Sequence, residues 1–290
     1  MLNEVIQLMR PKDGGVYLDG TLGYGGYSVA LLEKTSPTGI VYAFDLDGSA
    51  IERASCRLAG YGNRFRPIHA GFHEASLFVD GPDIGGVDGI ALDLGLSSTQ
   101  IDDPERGFSF RFKGPLDMRF DTDSGLALMD VLRTIKAREL ERVLKDYGEE
   151  RFSSRIAKAI LEATKKRALS TTDDLAELIT RVIPGRRGKI HPATRTFQAL
   201  RILVNHELEN LKAGLEALPL LLKTGGRMCV VSYHSLEDRL VKVCFREMAR
   251  DSSRWRIVTP KPVRPTPEEA RSNPRARSAR LRSIEALAEC

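Results

Sequence analysis

The chain has 290 residues, of which 42% are hydrophobic and 29% charged, with 44 Lys and Arg against 39 Asp and Glu and a net charge of +5. This balance excludes a disordered or collagen-like chain and provides enough apolar residues for a sizeable core. No apolar run reaches the roughly 18 to 20 residues of a membrane-spanning helix, and the first residues lack the pattern of a signal peptide. We therefore predict a cytoplasmic protein.

The positive charge is concentrated near the end of the chain. Residues 250–290 contain ten Lys and Arg against five Asp and Glu, which leaves 34 of each in the first 249 residues. A basic segment on a neutral body is typical of a protein with a polyanionic partner. A solvated tail that serves solubility is the alternative at this point.

Short β-branched runs alternate with helical patterns through the first hundred residues, which predicts βαβ units and a parallel sheet. The predicted strands are residues 15–19, 40–45, 65–69 and 89–93, and the predicted helices between them are residues 28–34 and 49–58. Because Pro67 cannot donate a hydrogen bond to a neighbouring strand, the third strand is expected to be short or near an edge.

The alternation stops near residue 102. Residues 102–125 follow neither period, which predicts a long loop, and long ordered loops are usually functional. Residues 129–218 have a helical pattern throughout. A strand returns at residues 226–233, and Ser235 is the predicted N-cap of the helix that follows. Extended segments at residues 255–258 and 278–284 are predicted to complete the sheet.

A glycine-rich loop, residues 19–28, joins the first strand to its helix. Such a loop lets the backbone and the helix amides approach a ligand closely, although a plain turn is the alternative. Counted from Gly23, the dinucleotide fingerprint has Gly25 in place but Ser28 where its third glycine belongs. Asp45 ends the second strand twenty residues beyond Gly25, where a carboxylate accepts hydrogen bonds from ribose hydroxyls. The pattern favours a nucleoside cofactor, and S-adenosylmethionine over NAD.

Two further candidates stand at the ends of predicted strands. Phe72 follows the third strand, and it is expected either to stack on an adenine or to belong to the core. Asp93 ends the fourth strand, and a carboxylate buried there without a partner would be costly, which indicates a function. Asp47 is interpreted as a helix cap.

Other chemistries are set aside on spacing. Residues 121–125 resemble the start of a calcium loop, but the glycine comes one place early. His234 and Ser235 lack the Gly-x-Ser-x-Gly elbow of acyl transfer. Residues 185–189 lack the spacing of a P-loop, and this basic segment either meets phosphate or is a solvated loop. No metal site is predicted, because the cysteines have no Cys-x-x-Cys spacing and are interpreted as reduced thiols. They are Cys56, Cys229, Cys244 and Cys290.

Seven blocks of sequence are more specific than any of these patterns. They are residues 17–26, 88–98, 102–119, 147–151, 191–198, 234–239 and 273–278. The longest reads Asp102-Asp-Pro-Glu-Arg-Gly-Phe-Ser-Phe-Arg-Phe-Lys-Gly-Pro-Leu-Asp-Met-Arg119. In content and order the blocks resemble the bacterial 16S ribosomal RNA cytosine-N4 methyltransferases, the RsmH or MraW family, over essentially the whole chain.

The resemblance implies a doubly wound, Rossmann-like α/β domain of the class I S-adenosylmethionine-dependent methyltransferases, with an inserted all-helical domain. We expect the methyltransferase domain at residues 1–103 and 206–290, the latter part with the basic tail, and the inserted loop and helices at residues 104–205. The implied cofactor is S-adenosylmethionine. The implied substrate is a cytidine in the decoding region of 16S rRNA, within a small-subunit ribosomal particle.

The resemblance also implies the residues that contact the cofactor. They are Gly25, Gly26, Tyr27, Asp45, Phe72, Asp93 and Gln100. Relatives usually have His in place of Tyr27, so we expect an altered contact with the cofactor there, and Phe in place of Tyr233. Relatives also have a His-containing extension ahead of residue 2, so we expect an incomplete wall of the active site. No catalytic residue is assigned. Asp117, His234 or a backbone carbonyl is hypothesised to accept the hydrogens of the cytosine amine.

Two features are candidates for RNA contact. Phe108, Phe110 and Phe112 alternate with basic residues, and they either stack on bases or pack the loop onto the core. A polar helix face either binds RNA or is merely solvated; it consists of Arg195, Gln198, Arg201 and Asn205. The alternative functions are an RNA-binding assembly factor with weakened or lost catalysis and a nicotinamide-dependent oxidoreductase.

Overall fold

The computed structural model describes residues 1–79, 85–183 and 191–288. The chain forms two compact units. The sheet unit comprises Met1–Gly95 and Leu208–Cys290, and the helical unit comprises Leu96–Glu207. The domain boundaries expected from the sequence, after residues 103 and 205, lie eight and two residues from these limits.

The strands and helices are as follows, in chain order. The strands are β1 Val16–Asp19, β2 Ile40–Asp45, β3 Phe65–His69, β4 Val87–Asp93, β5 Leu222–Ser232, β6 Trp255–Ile257 and β7 Arg280–Ala286. The α-helices are α1 Leu2–Met9, α2 Gly26–Lys34, α3 Gly48–Leu58, α4 Ser76–Val79, α5 Ser98–Asp102, α6 Leu128–Thr134, α7 Ala137–Asp146, α8 Ser153–Lys165, α9 Thr172–Val182, α10 Ala193–Asn205, α11 Glu207–Ala217, α12 Ser235–Asp251 and α13 Pro267–Ser272. Short 3-10 helices lie at Ala59–Arg64, Phe72–Glu74, Pro104–Arg106, Leu218–Leu221 and Pro274–Ser278.

The seven strands form one sheet in the order β3-β2-β1-β4-β5-β7-β6. β1 to β5 are parallel to their neighbours within this set, whereas β7 is antiparallel to both β5 and β6. This is a doubly wound, Rossmann-like sheet, as expected. Pro67 lies in the edge strand β3, as expected. The four strands predicted in the first hundred residues are all present.

Helices cover both faces of the sheet. On one face α1, α2 and α3 contribute buried residues such as Val5, Leu31 and Leu58. On the other face α11 and α12 contribute Leu215 and Phe245. Burial on both faces explains why the parallel strands have continuous apolar runs instead of an alternating pattern.

The caps of two helices in the sheet unit test the predictions made from the sequence. Asp47 caps α3 as expected, accepting hydrogen bonds from the backbone N and the Oγ of Ser49 at 3.1 and 2.7 Å. The prediction that Ser235 caps α12 is wrong. His234 is the N-cap, because its Nδ1 accepts from the backbone N of Glu237 at 3.4 Å, and Ser235 is the first residue of the helix.

The basic segment at the end of the chain is folded and is not a free tail. It contains β6, α13 and β7, and several of its arginines form ion pairs within the sheet unit. Arg282 and Arg280 bind the two carboxylate oxygens of Asp238 at 2.6 and 3.0 Å. Arg256 binds Glu285 at 2.8 Å. Part of the local positive charge therefore stabilises the last strands of the sheet.

The helical unit has its own apolar core, to which the long loop after α5 contributes Phe108, Leu116 and Met118. Phe110 stacks on His191 with ring centroids 4.5 Å apart and meets Phe197 edge-on at 5.0 Å. For Phe108 and Phe110 the packing interpretation is therefore correct.

Two further features of this loop are an exposed phenylalanine and a close approach between two backbone segments. Phe112 remains 50% exposed. A Cβ at Gly114 would lie 1.8 Å from the carbonyl oxygen of Pro104, so the loop closes on itself in a way that requires glycine there. The loop is thus ordered by its own packing, and Phe112 keeps its predicted role as a base-stacking candidate.

The polar side chains of α10 form hydrogen bonds within the helical unit, and Arg195 among them is still exposed. Contact of this face with RNA stays a prediction. Arg195 and Gln198 donate to the backbone carbonyls of Glu149 and Tyr147. Arg201 forms an ion pair with Glu207 at 2.7 Å, and Asn205 donates to Met118 and accepts from the backbone N of Phe120. These polar groups connect α10 to loops of its own unit, where they satisfy backbone groups that would otherwise be unpaired.

Three predicted features concern thiols, metals and membranes. Cys56, Cys229 and Cys244 are free thiols. Among the described residues no group of three or more His, Cys, Asp or Glu is arranged to hold a metal ion. Within the same ranges no helix is both long and apolar enough to cross a membrane. The basic segment 185–189 and Cys290 lie outside the described residues.

Candidate active site

Three aspartates end three adjacent strands at the carboxyl edge of the sheet. Asp45 ends β2, Asp19 ends β1 and Asp93 ends β4, and these strands are neighbours in the order β2-β1-β4. In an open parallel sheet, ligands bind at this edge, near the point where the strand order reverses. The three carboxylates and the loop after β1 therefore form the candidate site.

The glycine-rich loop after β1 runs across this edge into α2. Gly23 and Gly25 have φ of +49° and +78°, and Gly25 is the N-cap of α2. A Cβ at Gly25 would lie 2.9 Å from the Cδ1 of Leu58, so both the conformation and the packing there require glycine. At Gly26 a Cβ would meet no atom within 4 Å, so the first turn of α2 borders open space. This arrangement leaves helix amides facing a possible ligand.

Asp45 connects the loop to the next helix. Its Oδ2 accepts from the backbone N of Gly23 at 2.8 Å, and its Oδ1 accepts from the backbone N of Asp47 at 2.9 Å. Burial raises the pKa of Asp45, although these backbone bonds oppose the shift. Each carboxylate oxygen has a second lone pair, so the group can hold the loop and still accept from a ribose hydroxyl.

Asp19 is a member of the site that the sequence analysis missed. Its side chain is fully buried, accepts from Ser28 Oγ at 2.7 Å and accepts from the backbone N of Thr21 at 3.3 Å. Burial raises its pKa to about 6, and the nearby charges of Asp45 and Asp93 add to the rise. The signal was present, because Asp19 ends a predicted strand just as the other two aspartates do.

Asp93 is held by groups from both neighbouring strands. Tyr233, which follows β5, donates its hydroxyl to Asp93 Oδ1 at 2.8 Å, and Tyr27 in the first turn of α2 also hydrogen-bonds the carboxylate. The backbone N of Asp93 donates to Thr21 Oγ1 at 2.7 Å. Burial raises the pKa of Asp93 to about 6. The two tyrosines at which this chain departs from the usual residues of the resembled family thus meet at one carboxylate.

Phe72 lies after β3, in the short helix at the same edge, and is partly buried against the core. Its Cε2 would lie 2.6 Å from a Cβ at Gly214, and its Cβ would lie 2.9 Å from one at Gly20. Glycines on α11 and after β1 therefore make room for the ring. Phe72 therefore belongs to the core, and it also borders the edge of the sheet where the three aspartates lie, so that stacking on an adenine stays a prediction.

Gln100 belongs to the helical unit. It lies in α5, where its Oε1 accepts from the backbone N of Ser97 at 3.0 Å and completes a capping box with that residue. This bond accounts for its position in the fold. Its implied contact with the cofactor stays a prediction.

The two side chains hypothesised to accept the amine hydrogens both have partners close in sequence. Asp117 forms a two-pronged ion pair with Arg119, at 2.9 and 2.8 Å, and hydrogen bonds from that residue hold the pKa of Asp117 below its usual value although burial opposes them. His234 caps α12, and its Nε2 lies 3.1 Å from Glu237 Oε1. Each of these side chains has a structural role.

Comparison with known proteins identifies the family to which this chain belongs. The sequence matches the MraW methylase family over residues 1–287. The chain belongs to the MraW methylase family. It is 46% identical to the ribosomal RNA small subunit methyltransferase H of Trichlorobacter lovleyi, over 99% of this chain and 97% of that protein. The protein of the same name from Thermomicrobium roseum is 45% identical, over 99% and 93%.

A third relative and one solved structure complete the comparison. The ribosomal RNA small subunit methyltransferase H of Syntrophobacter fumaroxidans is 46% identical over 98% of this chain and 94% of its own length. A crystal structure of an rRNA methylase from Streptococcus thermophilus is similar with a TM-score of 0.42 and 13% identity, over 99% of this chain and 93% of that one. Membership of this methylase family makes the chain a methyltransferase, and it removes the oxidoreductase alternative.

Proposed function

We propose that this protein transfers a methyl group from S-adenosylmethionine to the N4 amine of a cytidine in the decoding region of small-subunit (16S) rRNA. The family and the names of the relatives support methylation of small-subunit rRNA. The choice of cytosine N4, of the decoding region and of a ribosomal particle as substrate rests on the resemblance carried by the seven sequence blocks.

The observation that carries the proposal is the order of side chains along the carboxyl edge. The strand order β3-β2-β1-β4 puts Phe72, Asp45, the glycine loop and Asp93 in a row. The parts of the cofactor follow one another in the same sequence: adenine, ribose, then the sulfonium with its methionine portion. We therefore assign Phe72 to the adenine, Asp45 to the ribose hydroxyls, and Asp93 to the reacting end. The amides of Gly26 and Tyr27 are assigned to the methionine portion. Gly25, whose own amide donates to Leu22 O at 2.7 Å, is assigned to the turn that presents them.

The electrostatics of the site fit this cofactor. Burial raises the pKa values of all three aspartates, so their ionised forms are costly without a counter-ion. The sulfonium and the ammonium group of S-adenosylmethionine are cations that would offset this cost. A dinucleotide would instead bring a negatively charged pyrophosphate beside three carboxylates. The negative charge of the three carboxylates therefore supports S-adenosylmethionine over a dinucleotide.

The chain's own residues bind and orient the reactants. When bound, the cofactor supplies a methyl group made electrophilic by the sulfonium. Asp45 and the glycine loop would hold the ribose and the methionine portion, and alignment of the amine with the transferable methyl group would supply much of the rate acceleration. A stacked cytosine cannot reach the edge of the sheet, so the base must be single-stranded or extruded from its stack. Gln100 stays a proposed contact on the strength of the resemblance.

Contact with RNA has two supports outside the cofactor site. In the sheet unit, Arg277 is exposed and Arg275 half-buried in the 3-10 helix Pro274–Ser278. In the helical unit, exposed Arg111 and Lys113 flank exposed Phe112, the combination of stacking and phosphate-neutralising groups that single-stranded RNA requires. We propose both segments as RNA-facing.

The test is transfer of a labelled methyl group from S-adenosylmethionine to small-subunit particles and, in a parallel reaction, to large-subunit particles, both isolated from cells that lack this enzyme. We expect label in 16S rRNA and none in large-subunit rRNA. Binding of cofactor and of particles without any label would favour the assembly-factor alternative. Label in large-subunit rRNA alone would refute the proposed substrate. Free 16S rRNA in a parallel reaction tests whether the particle is required.

A further inference from the structure

The carboxylate of Asp93 is held from two sides by hydroxyl groups. β5 pairs with β4 so that Asp93 lies opposite Val231, and Tyr233, two residues further along, reaches back to Asp93 Oδ1 at 2.8 Å. Tyr27 approaches from α2, on the side of β1, and hydrogen-bonds the same carboxylate. With Thr21 fixing the backbone, both position and rotation of this carboxylate are set before any ligand binds.

The direction of these hydrogen bonds is also set. Burial and the neighbouring carboxylates raise the pKa values of Tyr27 and Tyr233, so both hydroxyls stay protonated and can donate. An ionised carboxylate has about four acceptor positions, and two tyrosines occupy two of them. Asp93 therefore keeps acceptor capacity at the edge of the sheet, at the end of the row where the methyl group is assigned.

On the basis of the proposed function, we infer that Asp93 accepts a hydrogen of the substrate amine and that Tyr233 is the positioning residue that directs the Asp93 carboxylate toward it. In the transfer, the N4 lone pair forms the N–C bond, the S–C bond breaks with its electron pair kept on sulfur, and S-adenosylhomocysteine is the product. The proton that nitrogen loses passes to Asp93 and from there to solvent.

The charged and titratable groups around Asp93 decide the pH at which it can act. Tyr27 and Asp19 face it from the β1 side, and Tyr233 and Glu237 face it from the β5 side, while the α-amino group of Met1 favours its ionised form. With burial as the largest influence, the pKa of Asp93 is about 6, and the bond from Tyr233 lowers it. Asp93 is thus ionised at neutral pH and can still release a proton after turnover.

The test compares Tyr233→Phe with Tyr61→Phe, a matched loss of a hydroxyl at a half-buried tyrosine away from the site. The first measurement follows the Asp93 carboxyl carbon by NMR as a function of pH, with Asp93→Asn to assign the signal. The second is the single-turnover rate of methyl transfer against pH, at saturating cofactor and particle. Affinity for S-adenosylhomocysteine against pH is the third.

We expect Tyr233→Phe to shift both the Asp93 titration and the acid limb of the rate profile upward by about half to one pH unit, the scale of one hydrogen bond. Its rate should fall at pH 6 and approach that of wild type at pH 8.5, and Tyr61→Phe should shift neither. Asp93→Asn should lose the acid limb.

Three results would overturn the inference. The first is an Asp93 titration that Tyr233→Phe leaves unchanged. The second is a shifted Asp93 titration with an unchanged pH profile of the transfer rate. The third is a pH dependence that changes only for S-adenosylhomocysteine affinity. Absence of methyl transfer by wild type would instead reject the proposed function, and the NMR titration would still measure the link between Tyr233 and Asp93.

Discussion

The assignment of Asp45 to the ribose predicts a large loss of cofactor affinity in Asp45→Asn. A hydrogen bond to a charged group contributes about 1.5 to 3 kcal/mol, and a neutral one about 1 kcal/mol. Asparagine retains one acceptor oxygen, so one charged bond is lost and the other weakened. We expect a loss of about 2 to 4 kcal/mol, a dissociation constant for S-adenosylhomocysteine roughly 30- to 1,000-fold higher, measured by calorimetry at pH 7.5.

The same substitution should leave the ligand-free protein folded. It weakens the link to the backbone of Gly23 or Asp47, but it also removes a charge whose burial raises the pKa of Asp45, and the two effects oppose each other. Asp47→Ala is the matched control, because it removes the cap of α3 two residues away. We expect it to lower the free energy of unfolding by about 1 kcal/mol and to change affinity less than twofold. Wild-type affinity in Asp45→Asn would refute the ribose assignment.

Three further predictions concern stability, packing and RNA. The ionised form of Asp19 destabilises the folded protein above its pKa of about 6. This penalty disappears as the pH falls toward the pKa of the unfolded state, near 3.8. Calorimetry should therefore show that Asp19→Asn raises Tm at pH 8 and hardly at pH 4, and an equal rise at both pH values would contradict this. In most helices a Gly→Ala substitution stabilises the protein by about 1 kcal/mol. Gly214→Ala should instead lower Tm and weaken S-adenosylhomocysteine binding, because the new Cβ meets the ring of Phe72. A higher Tm with unchanged binding would argue against this packing. Replacing both Arg275 and Arg277 with Ala should weaken rRNA binding and flatten the plot of log affinity against log salt by about 1 to 2, with cofactor affinity intact; an unchanged slope would remove these arginines from the RNA interface.

The elements that sequence patterns predicted correctly depend on local chemistry. The parallel strands are buried on both faces, so their β-branched runs are distinctive. Pro67 indicated an edge because of a property of its own backbone, and Asp47 indicated a cap because its carboxylate reaches the next amides. The Ser235 prediction failed because serine is the usual cap, whereas the imidazole of His234 accepts the same hydrogen bond here.

The parts of the site that escaped prediction depend on topology. Tyr233 and Asp93 are 140 residues apart and meet because β5 lies beside β4 in the sheet. The hydrogen bonds of the polar residues of α10 were not predicted because the loops that they contact, such as the one containing Met118, are distant in sequence. Asp19 could have been found from its place at a strand end, but its burial and its bond to Ser28 required the structure.

The most direct test of the proposed reaction is the chemical identity of the methylated nucleoside. Small-subunit particles treated with the protein and S-adenosylmethionine carrying a ¹³C methyl group would be digested to nucleosides and analysed by mass spectrometry. We predict labelled N4-methylcytidine in 16S rRNA, in an amount that approaches one per particle. Label in 5-methylcytidine or in a 2′-O-methyl nucleoside, with none in N4-methylcytidine, would contradict transfer to the cytosine amine.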